Sequence, residues 1–321
     1  MAAVGFDAAM VLSFGGPERP DDVMPFLQNV VRGRPVPPAR LEVVAQQYMQ
    51  FGGRSPINEQ NRALVDAVRS ALAQRDHELP VYFGNRNWHP FLSDTLEEMR
   101  GDGVKRAAVF VTSAYSSFSG CRQYLDDMVQ ARLMVGPGAP ELVKLRPYFD
   151  RPGFVGPLAA GLRDALTVVS DDTPVVMTAH SIPLTQADHC DYQSQLRQVA
   201  GAVASQAGLD SRRWTLAFQS RSGPPAQPWL EPDISDLIAG LPDGTRELIV
   251  VPIGFVSDHM EVVYDLDHLA HANAEARRIK LIRTTTPGIH PDFIDMICDL
   301  ILEAESSPTL CPPGCCQPPS R

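Results

Sequence analysis

The sequence predicts an α/β protein of two similar doubly wound, four-stranded parallel sheets, flanked by helices and facing each other across a cleft. Three observations carry this expectation. Eight short apolar, often β-branched runs are distributed four and four along the 321 residues, and their continuous hydrophobicity is that of strands buried on both faces. In each half the last three runs are spaced by about 30 residues, the size of a βαβ unit. Each run feeds a polar or Gly/Pro-rich turn, at the strand ends where open α/β sheets bind ligands.

In the first half, Ala8-Ala9-Met10-Val11-Leu12-Ser13-Phe14 is a strand and Gly15-Gly16-Pro17-Glu18 its turn. Helical apolar periods follow over about 18–75, at Val23, Leu27 and Val30, at Leu41, Val44 and Tyr48, and at Leu64, Val68 and Leu72. The second strand, Leu79 to Gly84, exits into Asn85-Arg86-Asn87-Trp88-His89-Pro90, and the third, Ala107 to Thr112, into a Ser-rich stretch reaching Cys121. Glu141 to Arg146 is the fourth. The pattern then restarts. Thr173 to Ala179 leads into His180-Ser181-Ile182-Pro183, and Trp214 to Gln219 into Ser220-Arg221-Ser222-Gly223. Leu248-Ile249-Val250-Val251 and Lys280-Leu281-Ile282-Arg283 complete the second set. These boundaries divide the chain into an N-terminal domain over 1–150, with its helical insertion, a C-terminal domain over 151–306 and a Pro/Cys-rich tail over 307–321.

The densest chemistry follows the seventh strand, in Ser257-Asp258-His259-Met260-Glu261-Val262-Val263-Tyr264-Asp265. Ser257 and Asp258 are suitable helix caps. A helix starting there places Glu261, Asp265 and His268 at i, i+4 and i+7, on one face. Two carboxylates and an imidazole suit movement of a hard cation or of protons; a solvated helix face is the bland alternative. Phe14, Ser55, Tyr115, Tyr124, His180, Trp229, His259 and Glu261 gather at the expected exits. Aromatics around a His and a carboxylate suit a flat, largely apolar ligand with one reactive polar centre.

Composition narrows the partners. A formal net charge of -10 argues against nucleic acid, which needs a basic face. No apolar run reaches the roughly 18 residues of a membrane span, and Met1 to Phe14 lacks the basic start of a signal peptide. The expectation is a cytoplasmic protein, and a monomer. Its six cysteines are then not expected to form disulfides. Three of them fall within the last eleven residues. Three close thiolates need a fourth ligand for either a zinc site or a [2Fe–2S] cluster, and an unstructured tail with incidental thiols is the alternative.

Five motifs occur in order: Ser13-Phe14-Gly15-Gly16-Pro17-Glu18, Gly53-Arg54-Ser55-Pro56, Ala179-His180-Ser181-Ile182-Pro183, Gln219-Ser220-Arg221 continuing to Pro228-Trp229-Leu230, and Phe255-Val256-Ser257-Asp258-His259-Met260-Glu261. Together they resemble the ferrochelatases, enzymes that insert ferrous iron into a porphyrin in heme synthesis. The resemblance runs from about Phe6 to about Ala304. It implies that His180 and Glu261 face each other across the porphyrin centre and share iron delivery and removal of the two pyrrole protons, in an order the sequence leaves open. Asp265 and His268 would relay metal or protons along a helix that in the family is locally π-wound. Phe14 would lie against the macrocycle, and Arg32, Ser55 and Tyr124 would hold propionates.

The resemblance also implies a [2Fe–2S] cluster on Cys121, Cys311, Cys315 and Cys316, with Cys190 and Cys298 as non-ligands. The adjacency of Cys315 and Cys316 departs from the better-known ligand spacing. The lack of a membrane span or a long apolar lip favours the more soluble coproporphyrin III over protoporphyrin IX as substrate. Two other functions fit the same architecture: a chelatase for another metal or tetrapyrrole, such as cobalt into a corrin precursor, and a non-catalytic porphyrin or heme carrier.

Overall fold

A computed structural model describes residues 5–224, 226–306 and 316. All eight expected strands form: β1 (Ala8–Ser13), β2 (Val81–Asn85), β3 (Arg106–Val111), β4 (Glu141–Lys144), β5 (Val175–His180), β6 (Trp214–Gln219), β7 (Glu247–Val251) and β8 (Lys280–Arg283). They make two four-stranded sheets of the same order, β2-β1-β3-β4 and β6-β5-β7-β8. Every pairing is parallel. The chain condenses into two compact units: 5–112 with 123–146 and 297–306, and 113–122 with 147–296 and residue 316. A short Ser-rich segment after β3 thus belongs with the second sheet, and the last helix, Pro291–Ser306, contributes to both units.

In the first unit β1 is buried along its whole length, as expected of a central strand covered on both faces. Met10 and Leu12 pack with Leu92, Leu96 and Met99 of helix Leu92–Gly101 and with Val109 and Val111. The expected helical insertion forms as helices Val23–Val30, Pro38–Met49 and Ile57–Ala73. The first two meet through Phe26 and Leu27 against Leu41, Val44 and Tyr48. Such partly covered clusters contribute less than the sheet core, since stabilisation follows apolar area removed from water.

In the second unit, Val176, Ala217, Leu248 and Val250 pack against Val262, Leu266, Ala270 and Ala274, the inward side of the helical stretch after β7. No helix among the described residues is long and apolar enough to cross a membrane.

Strand order places the chemistry. Crossovers leave β5 and β7 in opposite directions, toward β6 and β8, so a crevice opens between their carboxyl ends. Their ladder stops at Met177 opposite Val251. Beyond it Gly254 N–H donates to the Thr178 carbonyl at 3.0 Å. A Cβ at Gly254 would lie 2.7 Å from both Cα and Cβ of Ala179, so only glycine lets the loop after β7 press against the end of β5.

Candidate active site

His180 is the last residue of β5. Its ring Nδ1 contacts the Ser181 carbonyl, an arrangement that puts a proton on Nδ1 and directs Nε2 outward. Nε2 lies 3.3 Å from Oε1 of Glu261. His259 Nδ1 stands 3.8 Å from the other carboxylate oxygen and accepts the Glu261 backbone N–H at 3.2 Å. His259 is therefore the N-cap of the helix, in place of the expected Ser257 or Asp258. Asp258 is drawn elsewhere: Arg283 donates to both of its oxygens at 3.2 and 3.3 Å, and Thr286 Oγ1 is 3.3 Å away.

The helix runs as α over Met260–Val262, π over Val263–Ala270 and α again over His271–Ala276. At the first change of winding, Gln219 Nε2 donates to the Glu261 carbonyl, supplying a donor where the regular ladder is interrupted. The wider π turn alters the phase expected from a 3.6-residue period. Asp265 stays on the side of Glu261 and receives the Ser220 hydroxyl. His268 is exposed, its ring 5.5 Å from that of Tyr264. Ser220 was legible merely as a strand-exit residue. Its backbone takes a left-handed φ of 62°, a conformation costing a non-glycine residue roughly 1–2 kcal/mol, and this conformation accompanies the hydrogen bond to Asp265.

Charge is distributed unevenly. His180 and Glu261 side chains keep accessible edges of 30% and 44%, enough for a ligand to reach them. For His180, burial disfavours the cation. The Glu261 carboxylate and its hydrogen bond, helped by the Ser181 carbonyl and Asp265, outweigh burial and raise it to about 9. Burial likewise works against ionised Glu261, but His180 and then His259 overcome it, and its pKa falls to about 2. Asp265 goes the other way: burial and the Glu261 charge, against the Ser220 hydrogen bond, lift it to about 6. His259 is pushed below the ordinary histidine range, chiefly by burial. At neutral pH His180 is therefore an imidazolium, its Nε2 proton facing an anionic Glu261, while Asp265 exchanges its own proton close to neutrality.

The remaining expected site residues lie in the first unit. Phe14 follows β1, is 36% exposed and packs edge-on against Phe26 at 6.2 Å. Arg32 is exposed and donates to Asn29 Oδ1 at 2.5 Å. Ser55 is buried, with its N–H on the Pro17 carbonyl at 2.8 Å. Tyr124 is buried within the first core, its ring 4.4 Å from the Arg86 guanidinium, rather than standing open at a strand exit. Arg86, which the sequence did not single out, is ion-paired with Asp127 and also lies 5.9 Å from the Phe14 ring. Its position directly after β2 was the available signal.

Among the cysteines, Cys121 and Cys316 are buried, whereas Cys311 and Cys315 lie outside the described residues. Among the described residues no three His, Cys, Asp or Glu side chains form a group able to hold a metal ion.

Comparison with known proteins bears on what this site does. A family model described as Ferrochelatase matches residues 7–305. A ferrochelatase of Rhodopirellula baltica is 47% identical, covering 97% of this chain and 93% of that protein. Coproporphyrin III ferrochelatases of Mycobacteroides abscessus and Mycobacterium marinum are 51% and 52% identical, covering 95% and 94% of this chain and 91% and 88% of theirs. Among solved structures, cobalt-bound SirB, a sirohydrochlorin chelatase from Bacillus subtilis, aligns with a TM-score of 0.55 at 10% identity, over 94% of this chain and 96% of that one. CbiX, a terminal enzyme of siroheme biosynthesis, aligns with a TM-score of 0.52 at 14% identity, over 92% and 99%. At such identities the two structures speak for a shared fold.

Proposed function

The chain belongs to the ferrochelatase family, and we propose on that premise that it inserts Fe²⁺ into coproporphyrin III in heme biosynthesis, with His180 and Glu261 as the reacting pair. The observation that carries the residue assignment is the 3.3 Å approach of His180 Nε2 to Glu261 Oε1. A carrier has no need of such a pair. Insertion exchanges two pyrrole N–H protons for one dication, so the site must accept positive charge and release two protons.

Iron is a substrate here. Glu261 is the anion of the resting site, and it meets the dication first. The arriving charge opposes the His180 cation, which gives up its proton; the freed Nε2 is then able to take a pyrrole proton or a ligand position on borderline Fe²⁺. Asp265, lifted to about 6, is matched to pass such protons outward near neutral pH, with Ser220 orienting its carboxylate. His268, exposed one turn further along, is the outermost member of that route. Phe14 offers an apolar face for the macrocycle, and Arg32, Ser55 and Tyr124 complete the porphyrin-binding set. Of the three, Arg32 is exposed, whereas Ser55 and Tyr124 are buried.

The cysteine reading belongs to the same proposal. A [2Fe–2S] cluster on Cys121, Cys311, Cys315 and Cys316 is supported by burial of Cys121 and Cys316 and by their membership of one compact unit. When bound, it would supply a one-electron centre and tie the tail to the second unit. Anaerobically purified protein is expected to show the visible bands of a cluster, and Cys121→Ser to lose them.

The principal test mixes anaerobic protein with Fe²⁺ and coproporphyrin III and follows the porphyrin spectrum. Conversion to the metallated spectrum by the wild type, with His180→Ala binding porphyrin but leaving it metal-free, is the expected result. Turnover by His180→Ala at the wild-type rate would sink the residue assignment. Absence of metallation by the wild type would sink the function.

A further inference from the structure

We propose that Tyr115 and Tyr192 are positioning residues that together set the separation of His180 and Glu261; the proposal rests on the iron-insertion reading above. The two catalytic side chains come from the exits of β5 and β7, where the inter-strand ladder has already ended at Met177 and Val251. Past that point, among the described residues, no backbone N–H is seen donating to the His180 or Ile253 carbonyl. Each receives a phenol instead. Tyr192, the first residue of helix Tyr192–Gln206, donates its hydroxyl to the His180 carbonyl at 3.0 Å. Tyr115, on the segment after β3, donates to the Ile253 carbonyl at 2.8 Å.

The two rings meet edge to face, with centroids 5.8 Å apart and planes at 85°, a favourable arrangement for aromatic quadrupoles. The result is a continuous bridge: His180 carbonyl, Tyr192, Tyr115, Ile253 carbonyl. It links the exits of the two strands that carry the reacting pair. Its members are buried. Tyr115 is 2% and Tyr192 7% exposed. Tyr115 is further packed by Phe149 at 6.2 Å and Phe154 at 6.0 Å. Gln195, on the same helix as Tyr192, holds both the Ser116 N–H, at 2.8 Å, and the Ser116 hydroxyl, at 3.0 Å, so the two tyrosines cannot slide apart independently.

Packing alone does not account for the hydroxyls. A phenylalanine would fill the same space without the desolvation cost of a buried O–H, which is offset here by a hydrogen bond to a strand-exit carbonyl. Catalytic geometry, in contrast, is sensitive to such a tie, since a displacement of about 1 Å can cost on the order of a hundredfold in rate.

The test compares Tyr115→Phe, Tyr192→Phe and the double variant with the wild type, using Tyr82→Phe as a control. Tyr82 lies in the first unit, where its hydroxyl donates to Asp102 at 2.7 Å. Each bridge variant is expected to lower kcat for iron insertion about tenfold while KM for coproporphyrin III changes less than about twofold. The double variant should lose no more than the worse single one, because either loss opens the same bridge. Tyr82→Phe should match the wild type. A second readout needs no turnover: the ¹⁵N shifts of the His180 ring in iron-free protein, at one pH, should differ between the wild type and Tyr192→Phe. If the wild type inserts no iron, the function falls, but the ring shifts still decide the bridge. Unchanged shifts, or additive losses confined to thermal stability, would overturn it.

Discussion

Nε2 of His180 and Oε1 of Glu261 lie 3.3 Å apart, although the two residues leave different strands and neither belongs to the other's local structure. The contact is an ion pair in the resting protein, because the carboxylate outweighs the burial that opposes a charged imidazole. On the proposed assignment, proton and metal would compete for this one nitrogen, and binding a dication would release the proton.

Removing the anion should reverse that balance. In Glu261→Gln, burial is left with weaker opposition, and the His180 pKa should fall from about 9 toward or below the ordinary histidine value. A pH titration of its ring resonances by NMR checks this. An unchanged midpoint would mean that another group holds the proton. Iron insertion should fall by roughly 10²–10⁴-fold, the range for loss of a positioned acid–base group.

Stability should respond to pH in a definite direction. A His180 pKa raised from 6.5 to about 9 means that the folded state binds the proton more tightly than the unfolded chain. Its contribution is fully present below 6.5 and is lost as pH rises through about 9. Urea midpoints of the wild type should decline across that window, and His180→Gln should flatten this part of the profile. Glu261 acts at the opposite end: its lowered pKa gives stability above about 4.5 that disappears as pH falls through about 2.

Ser220→Ala isolates the role of the left-handed residue after β6. The Ser220 hydroxyl favours ionised Asp265, so its loss should raise the Asp265 midpoint above about 6. The acid limb of the pH–rate profile should move up with it, while coproporphyrin affinity stays within about twofold. A profile superimposable on the wild type would remove Asp265 from the proton route.

Gly254→Ala tests the close approach that lets the two strand exits meet. The added methyl would stand 2.7 Å from Ala179, and the accompanying backbone shift should cost about 1–3 kcal/mol in equilibrium unfolding. Because that shift opens the crevice, kcat should fall further than the KM for porphyrin changes. Neutral stability together with normal turnover would show that the loop has room to spare.

Much of this was legible in the sequence. The eight strands were, because unbroken apolar runs such as Leu248-Ile249-Val250-Val251 leave few alternatives to a doubly covered strand. So were the candidates His180, just after such a run, and Glu261, in the turn and helix that follow another. The π winding was legible through resemblance alone. No period in Val263 to Ala270 distinguishes it from an α-helix.

What the tertiary structure decided is the set of partners. Local preference made Ser257 and Asp258 good caps, yet Arg283 from β8 takes Asp258, and His259 caps instead. The state of the site rests likewise on distant chain: Glu261 sets the charge of His180, burial and Glu261 outweigh the Ser220 hydrogen bond at Asp265, and Tyr115 and Tyr192 donate to carbonyls beyond the end of the sheet. A sequence fixes which residues possess these groups and how each strand begins and ends. Proton affinity depends instead on separation and burial, and those come into being when β5, β6, β7 and the segment after β3 are brought to the same end of one sheet.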